Sequence, residues 1–245
     1  MIGGRGSTSE PTNTAEAIDL YADSPVWRQV SSMQHARRYV SATLLADGTI
    51  LATGGTRGAC ATDTNEDDAY AVRQAEIWDP VVDTWRPAGR MQTARLYHST
   101  AVLLPDARVV VMGGGEGGSC DGQPFASHPE WEFYSPPYLF AGPRPTLYWA
   151  PPQVTYGQEF QFWMNQDSAT VAQVTLVRLP SVTHNFDQNQ RFARLPITWR
   201  EGGGRGGVRV QMPPRWEQLP PGYYMMFVLN TQGVPSEAHM LQVIQ

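Results

Sequence analysis

The feature that most constrains the fold is an internal repeat of just under 60 residues. Ser41 to Gly55 (SATLLADGTILATGG) and Ser99 to Gly114 (STAVLLPDARVVVMGG) each predict a strand, a short turn and a second strand ending in glycines. The anchors MQHAR and MQTAR open the two units, and AEIWDP…DTW is echoed upstream by AEAIDLY…VW. Self-similarity at a regular spacing is typical of architectures built from repeated supersecondary units.

Four short strands per unit, with paired glycines and a late tryptophan, are typical of the blades of a kelch-type β-propeller. Glycine lets the backbone turn where blades crowd near the axis, and we expect the tryptophan to pack between blades. The opening MIGG resembles the end of a second strand, so we predict the end of one blade, one whole blade and a last blade ending near Leu139. Because propellers have roughly four to eight blades, two to three cannot close a ring. We therefore expect more blades N-terminal to Met1, or closure by association.

The pattern changes after residue 142. Prolines at 143, 145, 151 and 152 indicate a linker, and period-two runs such as QVTYGQEFQFWM and ATVAQVTLVRL follow it. About seven short strands in roughly 100 residues, without helical periodicity, predict an immunoglobulin-like sandwich. The predicted fold class is all-β, with a partial kelch-type propeller of two to three blades over residues 1–142 and a sandwich over residues 143–245.

Composition argues against several classes of protein. The net charge of −5 includes no basic patch, so we expect no nucleic-acid partner. No long apolar run predicts a membrane span, and the N-terminus has no pattern of a signal peptide. Cys60 and Cys120 have no CxxC partner, which argues against zinc. They fall in equivalent loops, so a disulfide and two free thiols both stay open.

Two of the five histidines have neighbours that suggest a metal site. His98 follows Tyr97 in RLYHST, and His184 lies in the amide-rich segment SVTHNFDQNQR, whose polar groups can orient a ligating imidazole. Two imidazoles and a phenolate favour Cu(II) over zinc or magnesium, and a bound cation would let a tyrosine act as ligand at neutral pH. Adjacent residues of an ideal strand face opposite sides. Tyr97 and His98 can therefore both ligate only if the backbone is irregular there.

A kelch-type propeller with RLYHST, followed by a sandwich with VTHNFDQNQR and PGYYMMFVLN…GVPS, resembles the C-terminal part of the galactose oxidase and glyoxal oxidase family of copper radical oxidases. The resemblance runs over nearly the whole chain. It implies that Tyr97 is the axial ligand of one copper ion and the proton acceptor, and that His98 and His184 are equatorial ligands. It also implies a seven-bladed propeller, with a loop of the last domain reaching up its axis to bring His184 to His98.

The activity that the resemblance implies is oxidation of a primary alcohol or aldehyde by O₂, which gives an aldehyde or acid and H₂O₂. The substrate class is a small alcohol, aldehyde or carbohydrate, and the location is extracellular or at the cell surface. The family's redox cofactor, a tyrosine linked to a cysteine, has no counterpart in this chain, and Cys60 does not match that cysteine. Only three of the four expected protein ligands are present, so we expect the chain alone to be inactive.

Two further departures bear on the substrate. Val40 stands where the preceding blade repeats the Tyr-His pair, and it cannot ligate. The segment from Thr56 to Tyr70 is expected to border the pocket; it is acidic and lacks the aromatic residue that packs on the sugar in galactose oxidase, which argues against galactose. Its acidic residues are Asp63, Glu66, Asp67 and Asp68. The alternative function is a non-catalytic module that binds a glycan or a protein, with Tyr97-His98 as a relic.

Overall fold

The computed structural model describes residues 1–6, 10–58, 70–115 and 127–245. Within these residues, short and mostly antiparallel strands alternate with tight turns, together with two 3₁₀ turns at Pro137–Phe140 and Ser168–Thr170. The all-β prediction is confirmed. Among these same residues, no helix has the length and apolar character that crossing a bilayer requires.

The N-terminal part forms three separate antiparallel sheets, one for each predicted repeat unit. The middle sheet is a complete four-stranded meander, and the last has three strands in the described part of the chain. The first sheet pairs two strands, and Ile2 bridges to Ala15 as the predicted end of a further strand. These sheets form the predicted partial propeller. Their strands are β1 (Ala15–Ile18), β2 (Trp27–Val30), β3 (Ser41–Leu44), β4 (Ile50–Thr53), β5 (Gln74–Asp79), β6 (Thr84–Arg90), β7 (Ser99–Leu103), β8 (Val109–Gly113) and β9 (Trp131–Tyr134).

The repeated glycines and tryptophan lie where one blade meets the next. Gly54 has φ of +67°, and a Cβ there would stand 2.5 Å from the carbonyl oxygen of Arg95 in the following blade. Any other residue would force the two blades apart, so the predicted role of glycine is confirmed at this position. Trp85 packs with Val30 of the preceding blade and donates from its indole Nε1 to the carbonyl oxygen of Ser31, 2.6 Å away.

Each MQxAR anchor carries an arginine that pairs with a glutamate on the third strand of its blade. Arg37 Nη2 lies 2.5 Å from Glu76 Oε1, and both side chains are buried. Glu76 also accepts the backbone N–H of Gln34, and Arg37 donates to the carbonyl oxygen of Gly54. Burial lowers the pKa of Arg37, and the charge of Glu76 opposes this shift. The pair therefore ties the segment before each inner strand to the middle of its sheet.

The C-terminal part is a two-sheet sandwich. One sheet has the order β10-β12-β18-β17 and the other β11-β20-β19-β13-β16, with β11 parallel to β20. Apolar side chains from both sheets, such as Phe162, Val208 and Met226, fill the space between them. The strands are β10 (Leu147–Trp149), β11 (Gln153–Thr155), β12 (Glu159–Met164), β13 (Val171–Arg178), β14 (Val182–Thr183), β15 (Phe186–Asp187), β16 (Phe192–Leu195), β17 (Ile197–Glu201), β18 (Gly207–Gln211), β19 (Gly222–Asn230) and β20 (His239–Ile244).

The predicted sandwich is confirmed, but the two sheets hold nine strands rather than about seven. The strands outside the predicted runs include β10, which has three residues. A strand of this length is too short to show a period-two pattern, which explains why the sequence does not reveal it. The domain boundary between residues 142 and 143 stays a prediction.

The five-stranded sheet packs on the blades with the face that points away from the sandwich core. Alternate residues of β19 serve the two sides, because successive side chains of a strand point to opposite faces. Tyr224, Met226 and Val228 enter the sandwich core, whereas Met225, Phe227 and Leu229 join a cluster with blade residues. The blade residues of this second cluster include Leu45, Leu51, Ile77, Leu103, Val109 and Val111. The continuous apolar run YYMMFVLN thus reflects burial on both faces.

We expect Glu76→Ala to lower the free energy of unfolding by about 3–5 kcal/mol, because it leaves the Arg37 guanidinium buried without its partner. Glu132→Ala is the matched control, since Glu132 pairs with Arg95 in the next blade at 3.6 Å but keeps 24% of its side chain exposed. Its loss should be smaller. Chemical denaturation of both variants measures the difference, and an equal or larger loss for Glu132→Ala would contradict the ranking.

Candidate metal centre at the blade–sandwich junction

Tyr97 and His98 occupy the middle of a tight turn just before β7. The backbone N–H of Ser99 donates to the carbonyl oxygen of Leu96 at 3.1 Å, and His98 has φ of +63°. This left-handed residue breaks the alternation of a strand. The two side chains therefore stack, with ring centroids 3.9 Å apart and planes inclined by 28°. The predicted backbone irregularity is confirmed.

His184 lies at the tip of a short hairpin rather than in an open loop. Strands β14 and β15 pair with each other, and His184 and Asn185 form the two-residue connection between them with φ of +55° and +64°. Two successive residues with positive φ are the signature of a type I′ turn, which suits the twist of a hairpin. The hairpin contacts the inner strands β3 and β7 of two neighbouring blades.

The hairpin brings His184 to the Tyr97–His98 turn. The imidazole centroids of His184 and His98 lie 4.8 Å apart in an edge-on arrangement, and His184 lies 5.8 Å from the Tyr97 ring. Both imidazoles are exposed, and Tyr97 is partly buried. Three rings from two domains, 86 positions apart in sequence, thus meet on one side of the junction.

Within the described part of the chain, each of the two imidazoles is hydrogen-bonded through Nδ1, and neither has a hydrogen bond to Nε2. His98 Nδ1 lies 3.2 Å from the carbonyl oxygen of Gly115, and His184 Nδ1 lies 2.6 Å from Thr183 Oγ1. Partners of this kind hold a ligating imidazole in one orientation and tautomer. Nε2 of each ring and the phenol oxygen of Tyr97 are therefore the atoms available to bind a metal ion. This set of two nitrogens and one oxygen fits copper. Among the described residues, no group of three or more His, Cys, Asp or Glu is placed to hold a metal ion, so the phenol of Tyr97 is the third donor that these residues offer beside the two imidazoles.

Two side-chain amides that the sequence analysis did not single out hold the segment against the blades. Asn185 donates from Nδ2 to the carbonyl oxygen of Leu96, and Gln190 donates from Nε2 to the carbonyl oxygen of Ala42 at 2.8 Å. Gln190 also accepts the backbone N–H of Leu44 at 3.1 Å, so its amide pairs with the open edge of β3. The amide-rich sequence NFDQNQ was the only signal for these contacts.

Tyr39 is a third residue that the sequence analysis did not assign to the site. The centroid of its ring lies 5.0 Å from that of Tyr97. The guanidinium carbon of Arg38 lies over the Tyr39 ring, 4.9 Å from the same centroid. Tyr39 is the repeat equivalent of Tyr97. Yet the positive φ of the preceding blade, +58°, falls on Tyr39 itself. The next residue there is Val40, and a β-branched side chain disfavours positive φ.

The other histidines have partners outside the three-ring cluster, and several other predicted features lie outside the described residues. The backbone N–H of His35 donates to Glu76, His128 lies beside Glu130, and the ring of His239 lies against the carbonyl oxygen of Pro151. Of the residues named in the sequence analysis, six lie outside the described part of the chain: Cys60, Cys120, Asp63, Glu66, Asp67 and Asp68.

Comparisons with known proteins agree with this architecture. Residues 144–243 match the family described as "Galactose oxidase-like, Early set domain". A galactose oxidase of Gibberella zeae is 31% identical over 221 residues, which is 88% of this chain and 30% of that protein. An aldehyde oxidase of Vitis pseudoreticulata is 36% identical over 158 residues, which is 61% of this chain and 30% of its own.

A solved structure shares the arrangement of blades and sandwich. It is a fungal alcohol oxidase of the AA5 family in complex with copper, with a TM-score of 0.81 and 27% identity over 100% of this chain and 51% of its own. The molecule is thus a partial β-propeller joined to a galactose oxidase-like early set domain. Residues 144–243 therefore belong to the galactose oxidase-like early set domain family, and the chain as a whole is similar to galactose and aldehyde oxidases. It spans about 30% of the length of the galactose oxidases that it matches.

We expect His98→Val to destabilise the fold by about 1–3 kcal/mol, because a β-branched residue is strained at a φ of +63°. His98→Asn is the matched control, since asparagine tolerates positive φ and also removes the imidazole. Thermal and chemical unfolding of the two variants compares backbone strain alone. Equal stability of the two would mean that the turn adapts without strain.

Proposed function

We propose that Tyr97, His98 and His184 bind one copper ion and form this chain's part of a copper radical oxidase site. The observation that carries the proposal is the meeting of these three rings from two domains, with each imidazole Nδ1 engaged and each Nε2 left free. The copper-bound alcohol oxidase of similar fold supports the choice of metal.

The proposed reaction is RCH₂OH + O₂ → RCHO + H₂O₂, or the corresponding oxidation of an aldehyde hydrate to an acid. Copper, when bound, would supply redox and Lewis-acid chemistry together with a tyrosyl–cysteine radical that we expect only in a longer chain. The phenol oxygen of Tyr97 is the proposed acceptor of the substrate's hydroxyl proton. His98 and His184 are held through their Nδ1 atoms. They would keep the metal, and the substrate bound to it, in a constant position relative to Tyr97.

The names of the relatives suggest a substrate class and a location for this protein. Those relatives are named galactose oxidase, aldehyde oxidase and alcohol oxidase, so we propose a small alcohol, aldehyde or carbohydrate as substrate, with O₂ as oxidant. We also propose that further kelch-type blades precede Met1 in the working protein and that it acts outside the cell or at its surface. Without those blades, this chain should bind copper but not turn over.

Copper titration tests the site. We expect the full 245-residue chain to bind about one Cu(II) ion. The double variant His98→Ala, His184→Ala should bind it more than about 100-fold more weakly, a larger loss than removal of a residue that only hydrogen-bonds to a ligand would cause. His239→Ala is the control, because its ring lies against Pro151 and away from the site. Calorimetry and electron paramagnetic resonance measure affinity and nitrogen ligation. Equal affinity of all three proteins would contradict the proposal and favour the non-catalytic binding module.

The same preparation tests activity. With copper and a primary alcohol, the chain should release no H₂O₂ above that of the His98→Ala, His184→Ala variant, because the radical cofactor is not in this chain. A peroxide assay with coupled peroxidase measures this. Copper-dependent peroxide release would overturn the expectation that further blades are needed.

We also expect Thr183→Val to weaken Cu(II) binding by about 10–100-fold, because it removes the hydrogen bond that orients His184 Nδ1. Thr183→Ser keeps the hydroxyl group and should stay within about 3-fold of the wild type. Competition titration against a chelator of known affinity separates the two. Similar losses in both variants would contradict the role of the hydroxyl group, because serine retains it.

A further inference from the structure

We propose that Asn185 is a positioning residue that holds His184 in a fixed place relative to the Tyr97–His98 turn. Asn185 follows His184 in the I′ turn of the hairpin, and its side chain is buried, with 7% of the residue exposed. Its Nδ2 donates to the carbonyl oxygen of Leu96 at 2.9 Å and to Ser99 Oγ at 2.6 Å. Both acceptors belong to the blades, and the donor belongs to the sandwich.

The two acceptors are the two ends of the turn that presents Tyr97 and His98. Leu96 O also accepts the Ser99 N–H that closes this turn, so one carbonyl oxygen takes a hydrogen bond from within the turn and one from Asn185. A single amide therefore spans the turn and joins it to the residue next to His184. With both backbones tied in this way, the imidazole of His184 has only its own side-chain torsions left to vary.

The orientation of the amide follows from its acceptors. Leu96 O can only accept, so Nδ2 and not Oδ1 must face it. The consequence is that Oδ1 is buried and has no hydrogen-bond partner among the described residues. An unpaired buried oxygen opposes folding. The amide of Asn185 is therefore better explained by the position of its two donor bonds at the site than by a gain in stability.

Backbone conformation restricts which residues could replace it. Asn185 has φ of +64°, which asparagine, aspartate and glycine tolerate better than other residues. Aspartate keeps the shape but has no N–H to donate, and it would set a negative charge against the Leu96 carbonyl. Glycine keeps the turn and removes the side chain. Glycine thus removes both bonds without breaking the hairpin, whereas aspartate removes the bond to Leu96 and can still accept from the Ser99 hydroxyl group.

Gln190 provides the matched comparison. It belongs to the same segment and also bonds across the junction, but its partners are Ala42 and Leu44 on β3 and not the ligand-bearing turn. Gln190→Met keeps the length of the side chain and removes both bonds. If docking of the two domains is all that matters, Gln190→Met and Asn185→Gly should act alike. If Asn185 positions His184, only the Asn185 variants should change the relation between the rings.

The test uses the full chain without metal. Nuclear Overhauser contacts between the imidazole protons of His98 and His184, whose centroids lie 4.8 Å apart, report their relation directly. We expect Asn185→Gly and Asn185→Asp to lose these contacts, and Gln190→Met to keep them. Contacts between the Phe192 ring and Gly48 in the turn between β3 and β4, which lie against each other across the junction, should persist in all variants and show that the domains stay docked.

A second readout rests on the proposed copper site. Cu(II) affinity should fall about 10–100-fold in the two Asn185 variants and by less than about 3-fold in Gln190→Met, as for the loss of a residue that orients ligands. The inference is overturned if the His98–His184 contacts survive in Asn185→Gly, or if Gln190→Met loses them equally. A wild-type chain that binds no copper would defeat the proposed function, while the metal-free contacts would still decide the role of Asn185.

Discussion

The packing of one sheet between two cores is the constraint on which the rest of the molecule depends. Strand β19 sends Met226 into the sandwich and Phe227 towards the blades, so the five-stranded sheet is buried on both faces. Burial of apolar side chains on this scale is the dominant favourable contribution to association. It sets where the sandwich sits on the blades, and therefore how far the β14–β15 hairpin reaches.

On that foundation, the candidate site depends on unusual backbone more than on unusual side chains. His98, His184 and Asn185 all have positive φ, and each lies in a turn with few residues. The turn before β7 turns two neighbouring rings to one side, and the I′ turn carries the third ring to them. Asn185 and Gln190 add directional hydrogen bonds to the non-directional apolar contact, so the position of the hairpin segment is fixed along β3 and at the Tyr97–His98 turn.

Much of the fold was predictable because repeated signals are local. The glycines of LATGG and the tryptophan of DTW predicted contacts between blades, and Gly54 and Trp85 make those contacts. The metal candidates were predictable as residues, since Tyr97 and His98 are adjacent and His184 lies in an amide-rich segment. The three-residue strand β10, the β14–β15 hairpin and the position of Tyr39 beside Tyr97 were not predictable, because none of them leaves a periodic pattern.

The sequence by itself determined the class of fold, the order of its units and the identity of the three candidate ligands, because each follows from patterns within one short stretch. Whether these three candidates meet depends on the tertiary structure. The distance between His184 and His98 depends on how two apolar faces pack and on where Asn185 finds its acceptors, 86 to 89 positions away in the chain. Contacts between residues so far apart arise from packing of whole sheets, which no local pattern specifies.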